Sequence, residues 1–199
     1  FLPTILRFST VFGSSPRPRF DLVVNTLTAK AVKDKKISIF GGDQWRPNVH
    51  VEDISDTIIK ILEADIEIVG GETFNVGSER NNYTINELGK IIKEVIPEAE
   101  LVIDERKVDK RNYRVSFEKL RKILGIEMKW DVIDGVKEIK EVIENEEIKE
   151  YNSKEFHNIK FLESNLTDED EDNNNNNNNL VEWKWSEKLK MKILFFGYQ

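Results

Sequence analysis

An α/β fold follows from three features of the 199-residue chain. Short runs rich in β-branched and aromatic residues alternate with stretches of helical apolar period, and glycine or proline stands at the joints between them. Such alternation favours a layered α/β arrangement over a helical bundle or a sandwich.

The elements follow in order. TILRFSTVF, residues 4 to 12, reads as a buried strand, and the Gly13–Ser14–Ser15–Pro16–Arg17–Pro18 stretch breaks it. Between Asp21 and Lys33, the spacing of Val23, Val24, Leu27, Ala31 and Val32 predicts a helix. Strands are expected at 37–40 and 48–51. Asp53 is placed to cap a helix running to Ala64, with Ile54, Ile58, Ile61 and Leu62 on its buried face. The run GGETFNVG, 70 to 77, is a strand between glycines. Thr84 and Glu87 have capping-box spacing and open a helix to Val95, which Pro97 ends. A strand at 100–103 and helices at 116–124 and 132–146 complete the ordered part. Val132, Val136, Ile139 and Ile143 form one stripe on the last helix, expected in the core or against a subunit.

The composition limits the function. A hydrophobic content of 39% over this length supports one domain with a core, with room for an appendage. A net charge of -7 argues against nucleic-acid binding by phosphate neutralisation, so any phosphate site must be local. There are no cysteines, which excludes disulfides and thiolate metal sites and is compatible with a cytoplasmic protein. Two isolated histidines, His50 and His157, offer no zinc spacing, and no metal is expected. Arg7 interrupts the apolar opening, so no signal peptide is read there, and no apolar run is long enough for a membrane helix. The chain opens at Phe1 directly in a strand-like run and is expected to be a fragment.

After Leu166 the character changes. An acidic run from Asp168 to Asp172 is followed by seven asparagines, which predicts a disordered linker over 167–180. Beyond it, Trp183 and Trp185 precede the strand-like MKILFFG of 191–197, so 181–199 is read as the possible start of a second Rossmann-like domain, with an edge strand as the equal alternative.

The stretch IFGGDQWRPNVHVEDIS, 39 to 55, sets two glycines and a guanidinium beside a chain reversal. Here and at three other places the sequence resembles the extended short-chain dehydrogenase/reductases of the NAD-dependent nucleotide-sugar epimerase/dehydratase family. LRFSTVFG resembles the family strand LRxxNxYG, and GGDQWRPNVHVEDI resembles GDGxxxRDFVYVDDV. ETFNVGSERNNYTINEL resembles xxYNIGxxxxxTxxEL. Arg106 to Asp109, followed by Ser116–Phe117–Glu118–Lys119–Leu120 and Leu124–Gly125, resembles RPGD…DxSKxxxxLG. The four motifs stand in family order over residues 1–166.

The resemblance implies the C-terminal part of an extended Rossmann-type fold: the last core strand plus a small α/β substrate-binding subdomain, without the N-terminal Rossmann half. Arg46 and Arg106 are implied to bind the diphosphate of a nucleoside-diphosphate sugar, a task suited to the planar donor fork of arginine. Arg111 is a weaker candidate for the same contact, and Asp109 is implied to orient an arginine. Ser38 and Phe40 fall on the base-binding strand, while Phe8, Ser9 and Thr10 pass the nicotinamide of NAD or NADP. Asn75 and Gly77 shape a strand exit near the pocket. Thr10 replaces the usual asparagine, Phe12 the usual tyrosine, and Asn48 the usual aromatic, so the particular sugar does not carry over. Glu52 and Asp53 are read as helix-start carboxylates and His50 as a packed or hydrogen-bonded histidine, none of them catalytic.

Hydride chemistry in the family uses a Tyr-x-x-x-Lys pair and a GxxGxxG turn. Lysine follows four residues after none of Tyr83, Tyr113, Tyr151 and Tyr198, and no GxxGxxG occurs. The chain alone is therefore expected to be inactive, with a non-catalytic nucleotide-sugar-binding or dimerisation module as the alternative. The resemblance further implies a nucleotide-sugar partner, no nucleic acid or membrane, and a homodimer as one assembly open to the chain.

Overall fold

The computed structural model describes residues 2–104 and 111–164. The expected alternation is present: β1 (Ile5–Phe8), β2 (Thr10–Phe12), α1 (Val23–Lys33), β3 (Lys36–Phe40), β4 (Trp45–His50), α2 (Val51–Glu63), α3 (Ile66–Val69), β5 (Thr73–Val76), β6 (Asn82–Thr84), α4 (Ile85–Val95), β7 (Glu100–Asp104), α5 (Glu118–Leu124) and α6 (Val132–Glu144). The linker and tail expected after residue 166 lie outside the described residues, as do Arg106 and Asp109.

Residues 4–12, expected as one strand, form two. β1 pairs in parallel with β5, whereas β2 pairs in parallel with β4, which is joined on its other side by antiparallel β6. The change of partner falls at Ser9, whose amide still donates to Val76 O at 3.1 Å. A separate parallel pair, β3 with β7, stands in register Ile37 to Leu101 and Phe40 to Asp104.

Two apolar clusters hold these strands. In the larger one, Val24, Leu27 and Ala31 of α1, Leu88 and Ile92 of α4, and Val132, Val136, Ile139 and Ile143 of α6 bury against Ile37 and Ile39 of β3. The α6 stripe is thus core. The smaller cluster packs Phe74 and Val76 of β5 against Ile54 and Ile61 of α2, Leu120 of α5, and Ile126 and Met128. β4 divides the two: Val49 faces the second cluster, and fully buried His50 contacts Phe12 of the first. Period-two alternation sends successive side chains to opposite faces.

Two helix expectations need correction. α2 begins at Val51, and its cap is His50, whose Nδ1 accepts from Glu52 N, rather than Asp53. Of the four residues placed on its buried face, Leu62 is 49% exposed, because it lies one position, or about 100° around the helix, from Ile61. The Thr84–Glu87 capping box is formed as read: Glu87 N donates to the threonine hydroxyl, and Thr84 N donates to the Glu87 carboxylate at 2.7 Å.

Candidate functional site

Where one strand serves two sheets, its partners β5 and β4 part company. The side chain at the divergence, Ser9, is buried, and its hydroxyl has no hydrogen-bond partner among the described residues. Gly77, at the exit of β5, faces it. A Cβ on Gly77 would stand 2.6 Å from both Ser9 Oγ and Phe117 Cε1, so only glycine fits between them. Thr10, in register with Asn48, and Phe8, packed against the second cluster, flank Ser9.

The opening of β4 forms the other wall. Arg46 is 8% exposed, and its Nη1 donates to Trp45 O and Arg111 O. The guanidinium carbon lies 5.7 Å from the centre of the Tyr113 ring. Asn48 supports this wall from within: it is fully buried, and its Nδ2 donates to Arg46 O at 2.8 Å and to Asn81 O at 3.1 Å. Across β6, Tyr83 is in register with Arg46. Burial, then the Asp131 and Glu87 carboxylates, push the Tyr83 hydroxyl above its ordinary range, so it is a neutral phenol at physiological pH.

Residues 39–44 build the turn. Ile37 and Ile39 point inward, leaving Ser38 half-buried and Phe40 46% exposed on the opposite face of β3. Gly41 and Gly42 have φ of 74° and 125°, and a side chain on Gly42 would overlap Asn86. Gln44 closes the reversal: its Nε2 donates to Phe40 O and its Oε1 accepts from Gly42 N, each at 2.7 Å. The two glycines therefore let the chain turn tightly against the start of α4.

Between the walls runs the extended segment 111–117. Asn112 Oδ1 accepts from Trp45 N at 3.0 Å, and the Arg114 guanidinium stacks 4.2 Å over the Trp45 ring. At its other end Phe117 N donates to Glu79 Oε1 at 2.8 Å. Arg46 and Arg114 thus flank Trp45, the one through its carbonyl and the other over its ring. Arg111 meets Arg46 through its carbonyl. A cavity of about 200 Å³ beyond Gly77, lined by Glu79, Arg80, Phe117, Arg121, Glu127 and Met128, includes none of Ser38, Phe40 or Arg46, and its two arginines are balanced by its two glutamates.

The Asp53 carboxylate near the start of α2 is structural. Asp53, 3% exposed, accepts from Lys129 N at 2.8 Å and Trp130 N at 3.1 Å. These bonds seat the Trp130 ring 4.2 Å from His50, stacked at 12°. With Nδ1 of His50 accepting from Glu52 N, its Nε2–H donates to Glu138 at 3.0 Å, and the same Glu138 oxygen accepts from Ser14 N. His50 is a packed, doubly bonded histidine with no route to a ligand. Among the described residues no group of three or more His, Cys, Asp or Glu is placed to hold a metal ion, and no helix is long and apolar enough to cross a membrane.

The parallel pairings and their divergence mark a Rossmann-like α/β fold, and Ser9 and the arginine wall mark its candidate site. Residues 1–77 match the model of the NAD dependent epimerase/dehydratase family. Over those residues the chain is similar to that family. It is 26% identical over 137 residues to a UDP-glucuronate 4-epimerase of Thermodesulfobacterium geofontis, covering 67% of this chain and 41% of that one. Its fold is similar to that of a UDP-glucose 4-epimerase from Thermotoga maritima with UDP-glucose (TM-score 0.61, 29% identity, 72% of this chain and 46% of that one). It is also similar to a UDP-glucuronic acid 4-epimerase from Bacillus cereus in complex with UDP-glucuronic acid and NAD (TM-score 0.61, 23% identity, 71% and 45%). The chain spans less than half the length of these relatives.

Proposed function

We propose that the chain is the C-terminal, substrate-binding part of an NAD(P)-dependent nucleotide-sugar epimerase or dehydratase, and that the nucleoside diphosphate lies along the arginine wall. The observation that carries this reading is Arg46, buried at the start of β4 and held in one orientation by two carbonyls. A guanidinium fixed before the ligand arrives loses little freedom on binding, and its planar fork suits phosphate oxygens. Phe40 and Ser38 take the base, Arg46 and Arg111 the diphosphate. Arg106, which lies outside the described residues, is assigned to the same diphosphate by its motif alone.

The cofactor edge fits at Ser9. A buried hydroxyl without a partner costs free energy that a polar ligand atom would recover. Phe8, Ser9 and Thr10 would line the nicotinamide of NAD or NADP, which when bound supplies the acceptor and donor of a hydride. The chain's own residues bind and orient the sugar against it and keep water from the divergence. A parallel pair such as β1–β5 is seldom a whole sheet, which supports a further Rossmann half beside it. On this reading 1–166 is the substrate-binding part, 167–180 a linker and 181–199 the start of a second domain, in a cytoplasmic enzyme able to form a homodimer. A non-catalytic binding module is the alternative, and the lack of Tyr-x-x-x-Lys in this sequence fits both readings.

Isothermal titration of the chain with UDP-glucose and UDP-glucuronic acid tests the reading. Arg46→Lys keeps the charge but loses the fork, and it should weaken binding by about ten- to a hundred-fold, the equivalent of one charge-assisted bond pair. Equal affinity of the two proteins would remove Arg46 from the site.

A further inference from the structure

The segment 111–117 has no helix or ladder to satisfy its backbone, yet it is placed closely. Its peptide groups must find other partners, and side chains provide them. Asn75 Nδ2 donates to Ser116 O at 3.2 Å, and Phe117 N donates to Glu79. Asn82 does more: its Nδ2 donates to Val115 O at 3.0 Å, and its Oδ1 accepts from Val115 N at 3.4 Å. One carboxamide thus meets both backbone groups of one residue, as the backbone of a neighbouring strand would. Asn82 itself is 7% exposed and stands in register with Pro47 of β4, the residue after Arg46.

We propose that Asn82 is a positioning residue of the nucleotide-sugar site, pinning the middle of the 111–117 strap so that Arg111 and Tyr113 stand beside Arg46. The inference rests on the reading of Arg46 as a diphosphate ligand and adds the element that sets the geometry around it. Two residues before Val115, Tyr113 lies against Arg46; one residue before, Arg114 lies on Trp45; two residues after, Phe117 closes over Gly77 and Ser9. The pin therefore fixes both ends of the strap: the arginine wall, where the diphosphate binds, and the divergence, where the cofactor edge lies. Without it, Val115 turns to water and the strap loses the one support that meets both backbone groups of a residue, keeping its contacts to Trp45, Arg46, Asn75 and Glu79.

The test compares the full chain with Asn82→Ala, Asn82→Asp and, as a control, Tyr151→Phe, which removes a buried hydroxyl bond to Asp34 far from the strap. Two quantities are read: affinity for UDP and ADP by titration, and the rate of trypsin cleavage after Arg111 and Arg114. Asn82→Ala is expected to weaken nucleotide binding at least tenfold and speed both cleavages at least tenfold. Asn82→Asp, which can still accept from Val115 N but cannot donate to Val115 O, should fall between, and it carries the comparison if the alanine variant does not fold. Tyr151→Phe should change neither quantity. If the parent chain binds nucleotide and the Asn82 variants bind within twofold of it, or cut no faster, the inference is overturned while the diphosphate reading stands. If the parent binds neither UDP nor ADP, the diphosphate reading falls, and the inference falls with it.

Discussion

Replacing Asp53 by alanine separates a structural carboxylate from a catalytic one. In the folded chain both oxygens are spent on amides of the 129–130 loop, at 2.8 and 3.1 Å, and the residue is 3% exposed. Alanine leaves two partly buried N–H groups, those of Lys129 and Trp130, without their side-chain acceptors. At about 1–3 kcal/mol for each unmet group, with water able to reach both partly buried amides, the loss should lie at the low end, about 2–3 kcal/mol, still a large share of the stability of a domain this size. Asparagine keeps the shape and one acceptor but turns its NH2 toward the second amide, so about half of that loss is expected. The Trp130 ring would also come off His50, giving a red-shifted indole emission in the native baseline. Urea unfolding followed by far-UV circular dichroism gives the free energies. A change under about 0.5 kcal/mol for Asp53→Ala, the size of an ordinary surface substitution, would refute the bonding described here.

Two further expectations follow from the same geometry. Gly77→Ala drives a methyl to within 2.6 Å of the Phe117 ring and Ser9, so overpacking of about 1–3 kcal/mol should appear in urea titrations together with weaker UDP binding. Burial, and after it the hydrogen bond to Asp34, push the Tyr151 phenol up to about 12 from its ordinary value of 10.0. The proton is held more tightly in the folded chain, so the stability it contributes is fully present below pH 10 and is lost as pH rises through 12. The stability gap between the parent and Tyr151→Phe should therefore shrink over that window, and a gap constant from pH 8 to 12 would contradict it.

Features set by neighbours in sequence were legible. The Thr84–Glu87 box needs only a three-residue spacing, and the Gly41–Gly42 reversal only a local backbone requirement, so both were readable. The α6 stripe was readable from period alone. The break at Ser9 was not, because TILRFSTVF is uniformly strand-like and the change of partner is decided by β4 and β5, some forty and seventy residues away. Asp53 was read as a cap because aspartate before an apolar period usually is one. Here the loop at 129–130 claims its oxygens, and an imidazole takes the cap. The strap's supports were missed for the same reason: Asn75, Glu79 and Asn82 act on residues 33 to 41 positions away, and asparagine between elements reads as turn chemistry. Among the site residues, the structure brings the Arg111 carbonyl to Arg46, and it places Ser38 and Phe40 on β3, in a different sheet from Arg46.

The central claim, that a nucleoside diphosphate lies along the arginine wall, is tested most directly by a crystal structure of the chain grown with UDP. The account predicts diphosphate density within hydrogen-bond reach of the Arg46 guanidinium, with the uracil ring against Phe40. Density in the cavity lined by Arg80 and Arg121 instead, or bound UDP that leaves Arg46 untouched, would contradict it.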